Sequence, residues 1–188
     1  MTEAVRVRHF KPESDAHAVH DIWIDGLRQT SDEKWWLYRP FWRFMFYMYA
    51  RKAVQENGDV GPEGENIFRH WCEDKDNRCM LVAEKEESGN NMILGCMAVI
   101  RGKNPALGVE VTNEETTFSV WKMSVAEESR GRGVGRKLLE AGERWAKENG
   151  CVKMVMVTAN PVASRFYMKN GYEPSEPTKH ASWYEKKI

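Results

Sequence analysis

A basic, glycine-rich turn between an apolar strand and an amphipathic helix constrains the fold of this chain more than any other feature. Residues 124–136 read SVAEESRGRGVGR, and they follow a β-prone run that extends from Thr117 to Val125. Alternating glycines let the backbone approach a ligand closely, because no Cβ stands in the way. The first turn of the next helix leaves N–H groups without partners at the positive end of the helix dipole. The turn therefore predicts a binding site for a pyrophosphate group.

The glycine spacing excludes two common nucleotide motifs. A P-loop needs Gly-Lys-Ser/Thr four residues after its first glycine, and the glycines here fall as G-x-G-x-G rather than G-x-G-x-x-G. The spacing matches Arg-x-x-Gly-x-Gly after a strand that ends Met-Ser-Val, and it resembles the acetyl-CoA motif of the GNAT superfamily of N-acyltransferases. An exposed basic loop that caps an ordinary helix is the alternative.

A second segment carries the same resemblance. Residues 160–172 read NPVASRFYMKNGY, which is similar to the family pattern Asn-x-x-Ala-x-x-x-Tyr-x-x-x-Gly-Phe/Tyr. The resemblance implies an acetyl-CoA-dependent N-acetyltransferase that moves an acetyl group to a primary amine by direct attack. It also implies that the strand backbone pairs with the pantetheine arm and that the turn holds the pyrophosphate. The implied cofactor-binding residues are Met123, Ser124, Val125, Arg130, Gly131, Arg132, Gly133, Val134, Gly135, Arg136, Asn160 and Ser164.

The resemblance implies a catalytic role for Tyr167, which would stand near the cofactor sulfur. The departing thiolate needs a proton, and a tyrosine hydroxyl within reach supplies one. The alternative is a half-buried helix tyrosine whose hydroxyl has only a structural partner.

The residue that removes the proton from the amine is left open. Family members often carry Glu or His two or four residues before the Met of Met-Ser-Val, where this chain has Trp121 and Ser119. Neither side chain titrates usefully. Glu115 is one candidate, acting through water, because its position along the strand puts it on the same side as residues 119 and 121. An acid of the N-terminal helices, such as Asp25 or Glu33, is a further candidate.

The order of elements predicts an α/β fold, namely one GNAT-like domain over residues 1–188. Its sheet is expected to be mixed and mostly antiparallel, with a C-terminal βαβ unit and helices on both faces. Strands are predicted at about 5–10, 79–85, 92–101, 117–125, 151–158 and 182–186, and helices from about 15, after 135 and at 161–169. The N-terminal helices, about 15–74, form the acceptor side, and residues 116–172 form the cofactor-binding half.

An aromatic stretch lies in the predicted acceptor side. Residues 34–52 read KWWLYRPFWRFMFYMYARK, with nine aromatic residues between Trp35 and Tyr49. The stretch is interpreted as a core helix, as the wall of an acceptor pocket, or as a membrane-surface helix. If it lines a pocket, the acceptor has an apolar or aromatic body, and Arg39 or Arg43 can pair with a carboxylate on it.

Composition narrows the partners and the compartment. Lys plus Arg and Asp plus Glu each number 28, and this zero balance argues against a nucleic-acid binder. The polar N-terminus and the absence of a long apolar run predict a cytoplasmic protein without a membrane span. Four cysteines without metal spacing predict free thiols and no metal, and His17 and His20 are expected at the surface.

The expected partners are acetyl-CoA and a small-molecule or peptide amine, in a monomer or a homodimer. Two other functions stay open. One is a non-catalytic module that binds or senses acyl-CoA, and the other is a membrane-peripheral acyltransferase.

Overall fold

The computed structural model describes residues 5–28, 74–87, 90–102, 113–158, 160–175 and 182–188. Within these ranges the chain forms seven strands, three α-helices and one 3₁₀ turn, Glu127–Ser129. The strands are β1 (Arg6–His9), β2 (Arg78–Glu87), β3 (Asn90–Arg101), β4 (Thr117–Val125), β5 (Lys153–Thr158), β6 (Glu173–Pro174) and β7 (Ser182–Lys187). The helices are α1 (Pro12–Arg28), α2 (Val134–Glu148) and α3 (Pro161–Lys169).

The strands form one sheet in the order β1-β2-β3-β4-β5-β7-β6. Every neighbouring pair is antiparallel except β4 and β5, which are parallel and joined through α2. This arrangement confirms the predicted mixed sheet with its βαβ unit. The two-residue strand β6 was not predicted, because an exposed pair that contains Pro174 carries no strand pattern.

A hydrophobic core lies on each face of the sheet. On the face that carries α2 and α3, here called the α2 face, Phe118, Leu138 and Met154 are fully buried. On the opposite α1 face, Val19 of α1 packs with strand residues such as Val82. Two cores confirm the expectation of helices on both faces. Helix α1 begins at Pro12 rather than near residue 15, since proline is favoured in a first helical turn.

The central strand β4 contains a β-bulge close to its end. Ala98 of β3 pairs with Trp121, but Cys96, two residues back, pairs with Ser124, three residues further along β4. The extra residue reverses the alternation of side chains. Trp121 therefore packs on the α1 face, while Met123 packs against the core on the α2 face.

The parallel strands β4 and β5 stay together over a short distance only. Their register runs from Thr117 and Lys153 to Ser119 and Val155, although both strands continue beyond these residues. The sheet is therefore open between the carboxyl ends of β4 and β5, the edge of a parallel pair where ligands usually bind.

Helix α1 lies directly against the end of β4. A Cβ at Gly26 would overlap Ser124 Oγ, and a Cβ at Gly95 would stand 2.8 Å from the Ser124 carbonyl oxygen. Ser124 is thus enclosed by two glycines, one from the helix and one from β3. Glycine at both positions permits this close approach.

Three smaller expectations concern cysteines, histidines and membrane spans. Cys79, Cys96 and Cys151 are buried free thiols, and each ring of the His17 and His20 pair lies 3.3 Å from Asp21 on α1. No helix in the described ranges is both long and apolar enough to cross a bilayer. The stretch from Trp35 to Tyr49, together with Arg39, Arg43, Glu33 and Cys72, lies outside the described residues.

A buried charge cluster fixes β1, β2 and α1 to one another. Arg8 makes hydrogen bonds of 2.6 and 3.0 Å to the two oxygens of Asp15, and one of 2.7 Å to Glu84. Asp15 and Glu84 are 2% and 5% exposed. Burial by itself raises the pKa of Asp15, but hydrogen bonds from Arg8, the Lys11 N–H and Ser14 outweigh it and lower the pKa below 3.8.

We expect Asp15→Asn to lower the free energy of unfolding at pH 7 by about 3 kcal/mol, because it leaves Arg8 with one buried partner. Because the pKa of Asp15 is lower in the folded protein than its usual 3.8, the ionised carboxylate stabilises the folded protein above pH 3.8. This stability is lost as the pH falls through the pKa of Asp15 in the folded protein. Urea unfolding from pH 7 to pH 3 measures both effects. The free energy of unfolding of Asp15→Asn should therefore fall less between pH 7 and pH 3 than that of the wild type. Asp21→Asn, a change at an exposed carboxylate of the same helix, should shift stability by less than about 0.5 kcal/mol; equal effects of the two variants would contradict the prediction.

Candidate active site

A cleft of about 840 Å³ lies on the α2 face where β4, the glycine-rich turn, α2 and α3 meet. Most of the residues singled out from the sequence line it. They are Met123, Ser124, Val125, Arg130, Gly131, Gly133, Val134, Gly135, Arg136, Asn160 and Tyr167. Arg132 and Ser164 are not among the lining residues. Arg132 is exposed on the turn, and Ser164 is half-buried on α3.

The turn has the backbone geometry that its glycines suggest. Gly131 and Gly133 have φ of +74° and +81°, a left-handed conformation that other residues adopt at a cost. Gly133 is the N-cap of α2, and no atom lies within 4 Å of the position of a Cβ at either glycine. The N-terminus of a fifteen-residue helix is thereby open to an anion.

Three basic side chains around the turn have partners within the protein. Arg130 Nε donates to the Val125 carbonyl at 2.9 Å, and Arg136 Nε to Glu140 at 2.7 Å. Lys137 Nζ donates to the Val5 carbonyl at 3.1 Å. The positive character of the site therefore comes from the helix terminus and backbone N–H groups together with these anchored cations.

Tyr167 lies at the inner end of the cleft. It is 4% exposed, and its hydroxyl donates to Met123 Sδ at 3.2 Å. Its ring makes edge contacts with Phe166 and Tyr172, with centroids 5.1 and 5.5 Å apart. Burial raises the pKa of Tyr167 well above its usual value, so the hydroxyl stays protonated at neutral pH. The cleft thus contains a proton donor that is directed at a sulfur atom.

Asn160 begins helix α3 at the edge of the cleft. Its Oδ1 accepts a hydrogen bond from the Val162 N–H at 2.9 Å, and Pro161 occupies the first helical position. The cap uses the side-chain oxygen, so the Nδ2 amide group is the part of the side chain that can donate to a ligand.

The structure argues against Glu115 as the base. Glu115 is exposed in the turn before β4, and its carbonyl accepts from Arg101 at 2.7 Å. Six residues of strand, roughly 20 Å, separate Met123 from Thr117, where β4 begins, and Glu115 lies before that strand. Ser119 is buried and donates to the Gly102 carbonyl at 2.6 Å, while Trp121 packs on the α1 face. Asp25 is exposed on α1. Ser119 and Trp121, the two strand positions where the resemblance would place a Glu or His, therefore have a structural role here.

Several lining residues were not recognised from the sequence. Phe166 packs against Gly135, where a Cβ would lie 3.5 Å from its ring, and it shares one face of α3 with Ala163 and Asn170. The helical spacing of these three residues was the available signal. Glu143 of α2 and Lys186 of β7 also line the cleft, joined by contacts of 2.8 and 2.9 Å. No local pattern relates two residues so far apart in the chain.

Residues 32–172, more than half of the chain, match the Acetyltransferase (GNAT) family, and the chain belongs to this family. Among curated protein sequences, none is similar enough to count as a match.

Solved structures of N-acetyltransferases share the fold. PaiA N-acetyltransferase from Thermoplasma acidophilum in complex with coenzyme A has a TM-score of 0.66 at 15% identity, covering 98% of this chain and 99% of the other. Ribosomal-protein-alanine N-acetyltransferase from Brucella melitensis has a TM-score of 0.64 at 18% identity, covering 97% and 99%. The GNAT domain of S. lividans PAT has a TM-score of 0.60 at 22% identity, covering 98% and 90%. At these identities the similarity concerns the fold.

Proposed function

We propose that the protein is an acetyl-CoA-dependent N-acetyltransferase that acts on a primary amine of a small molecule or a peptide. One observation carries the proposal: a single cleft joins an anion-binding helix terminus to a buried, protonated tyrosine at the opening between β4 and β5. The phosphate end of an acyl-CoA fits the first feature, and its thioester end fits the second. The division into an acceptor side, 15–74, and a cofactor half, 116–172, belongs to the same proposal.

Acetyl-CoA, when bound, supplies an activated acetyl thioester. Residues of the chain bind and orient this molecule. N–H groups of the turn from Arg130 to Gly135 bind the pyrophosphate, and the free edge of β4 at Met123 and Val125 pairs with the pantetheine amides as an added strand would. Asn160 donates to the same arm. Ser164 and Arg132, which do not line the cleft, are assigned to its outer rim.

Tyr167 is proposed to protonate the thiolate that leaves when the acetyl group is transferred. Its hydroxyl already donates to a sulfur, Met123 Sδ, and a thiolate is a much stronger acceptor than a thioether. The raised pKa keeps the proton on Tyr167 until this stronger acceptor forms.

The acceptor is proposed to have an apolar or aromatic body. The aromatic stretch 35–49 supports this proposal from the sequence, because its residues exceed what one helix face can bury. A carboxylate on the acceptor is the accompanying proposal, with Arg39 or Arg43 as its partner.

A non-catalytic module that binds acyl-CoA is the second candidate. Its supporting observation is the pair Ser119 and Trp121, which stand where relatives carry an acid and are used for packing and a buried hydrogen bond. Such a module would bind CoA through the same cleft without turning it over.

Turnover separates the two functions. We expect free thiol to be released from acetyl-CoA when the protein is given amines with aromatic or apolar bodies, measured across aromatic amines, amino acids, short peptides and spermidine. Spermidine should be the poorest acceptor, since its several cations meet an apolar, basic wall. Tight CoA binding without thiol release from any amine would favour the binding module, and spermidine as the best acceptor would refute the apolar pocket.

We expect Gly133→Val to weaken CoA binding more than about tenfold, or 1.4 kcal/mol, because a side chain in the left-handed turn blocks the approach of the pyrophosphate. Gly150→Val is the matched control. Gly150 has a φ of +83° and no atom within 4 Å of its Cβ position, but it lies at the other end of α2. Calorimetric titration should find normal affinity in this control. Similar losses in both variants would mean that backbone strain, rather than the site, weakens binding.

We expect Tyr167→Phe to lower kcat on the order of 10²-fold with little change in CoA affinity, because the ring packing remains and the proton donor is lost. Tyr172→Phe is the control, since its buried hydroxyl donates to Met154 Sδ at 3.8 Å outside the cleft. Steady-state kinetics on both variants measure the difference. An unchanged kcat in Tyr167→Phe would leave Tyr167 with a structural role and water as the proton source.

A further inference from the structure

Trp183 of β7 carries a buried hydrogen-bond donor that the fold does not use. Its indole nitrogen Nε1 is excluded from solvent and has no hydrogen-bond partner, the one such side-chain atom in the described part of the chain. Buried donors are nearly always paired, because an unpaired one keeps its desolvation cost without the compensating bond. An unpaired donor among the otherwise satisfied polar atoms of the described residues indicates a partner that these residues do not provide.

The sheet places Trp183 one strand away from the opening between β4 and β5, because β7 pairs with the edge of β5 that faces away from β4. Trp183 pairs with Val157 of β5, two residues beyond Val155, where the pairing with β4 ends. Its neighbour Tyr184 packs in the core on the α2 face. Because side chains alternate along a strand, Trp183 lies on the α1 face, opposite to the glycine-rich turn.

Another tryptophan borders the opening itself. Trp121 of β4 lies two residues beyond Ser119, the last β4 residue that pairs with β5, and it packs on the α1 face with Trp23 of α1. Trp121 therefore stands on β4, which borders the opening, and Trp183 stands on β7, which only β5 separates from it. An amine that reaches the opening from the α1 face would pass these two indoles before it meets the cleft on the α2 face.

We propose that Trp183 is a specificity-determining residue for the acceptor: its Nε1–H donates a hydrogen bond to a carbonyl or carboxylate oxygen next to the carbon that bears the acceptor amine. The acceptor is then an amino-acid-like or peptide-like amine with an apolar side chain. The proposal rests on the proposed function, since acetyl transfer is what brings an amine to the opening. Polyamines offer no oxygen to this donor, and a site built around a hydrogen bond discriminates against ligands that lack the group.

Three amines with one phenyl body test the proposal: phenethylamine has no such oxygen, L-phenylalanine methyl ester has a carbonyl, and L-phenylalanine has a carboxylate. We expect kcat/KM of the wild type to be at least about tenfold higher for one of the oxygen-bearing amines than for phenethylamine. Trp183→Phe keeps an aromatic ring and removes the donor, and it should bring this ratio close to one. The better of the ester and the amino acid identifies the oxygen as carbonyl or carboxylate.

Trp145→Phe is the control for the loss of an indole elsewhere. Trp145 belongs to α2, and the centroid of its ring lies 5.7 Å from that of Phe118. It is not among the residues that line the cleft. This variant should keep the wild-type ratio. A ratio that persists in Trp183→Phe, or one that collapses equally in Trp145→Phe, would overturn the role of the Trp183 donor.

A measurement that needs no turnover completes the test. In protein labelled with ¹⁵N at the indole positions, the Trp183 signal is the one that Trp183→Phe lacks. It should shift when L-phenylalanine or its ester is added to the CoA-bound protein, and stay in place with phenethylamine. If none of the three amines shifts the Trp183 signal, the proposal is overturned. This outcome includes the case in which a bound water accepts the hydrogen bond from Nε1. A shift without any thiol release supports the donor and refutes acetyl transfer.

Discussion

The separation of β4 from β5 is the constraint on which the rest of this structure depends. The two strands share a register only as far as Ser119 and Val155, and what lies beyond is arranged around the resulting opening. On one face stand the glycine-capped N-terminus of α2 and the buried hydroxyl of Tyr167. On the other face Trp121 borders the opening, and Trp183 lies one strand further away. A continuous parallel pair would have used the β4 backbone groups for its own ladder, so the site exists because the sheet gives up part of its hydrogen bonding here.

The proposed phosphate site does not depend on a surplus of basic residues in the chain. Lys plus Arg and Asp plus Glu are equal in number, and Arg136 and Lys137 beside the turn are bonded within the protein. Attraction for a phosphate therefore comes from oriented backbone dipoles at Gly131 and Gly133 together with cations that the protein already holds in place. A site of this kind requires no reorganisation of long side chains on binding, and it attracts anions locally rather than over the whole surface.

The sequence predicted the parts of the fold whose signals are local. The glycine-rich turn, the βαβ unit and helix α3 follow from spacing and propensity over short windows, and the structure has them where they were expected. The bulge in β4 was not predictable, because it places three residue steps of β4 opposite two of β3, and this depends on how the two strands pair in the fold. Strand parity made Glu115 a candidate base, but parity says nothing about distance, and the structure puts Glu115 in the turn before β4. The pairing of Glu143 with Lys186 and the unpaired donor of Trp183 depend on neighbours that only the folded chain brings together.

The contact of Gly26 with Ser124 has a mechanical consequence. With no side chain between them, the backbone of α1 and the end of β4 cannot slide past each other independently, since packed elements transmit displacements rather than absorb them. Ser124 precedes the turn and lies on the edge of the cleft. Any force that tilts α1 is therefore transmitted to the strand that borders the opening, so that a displacement of the helix reaches the cleft.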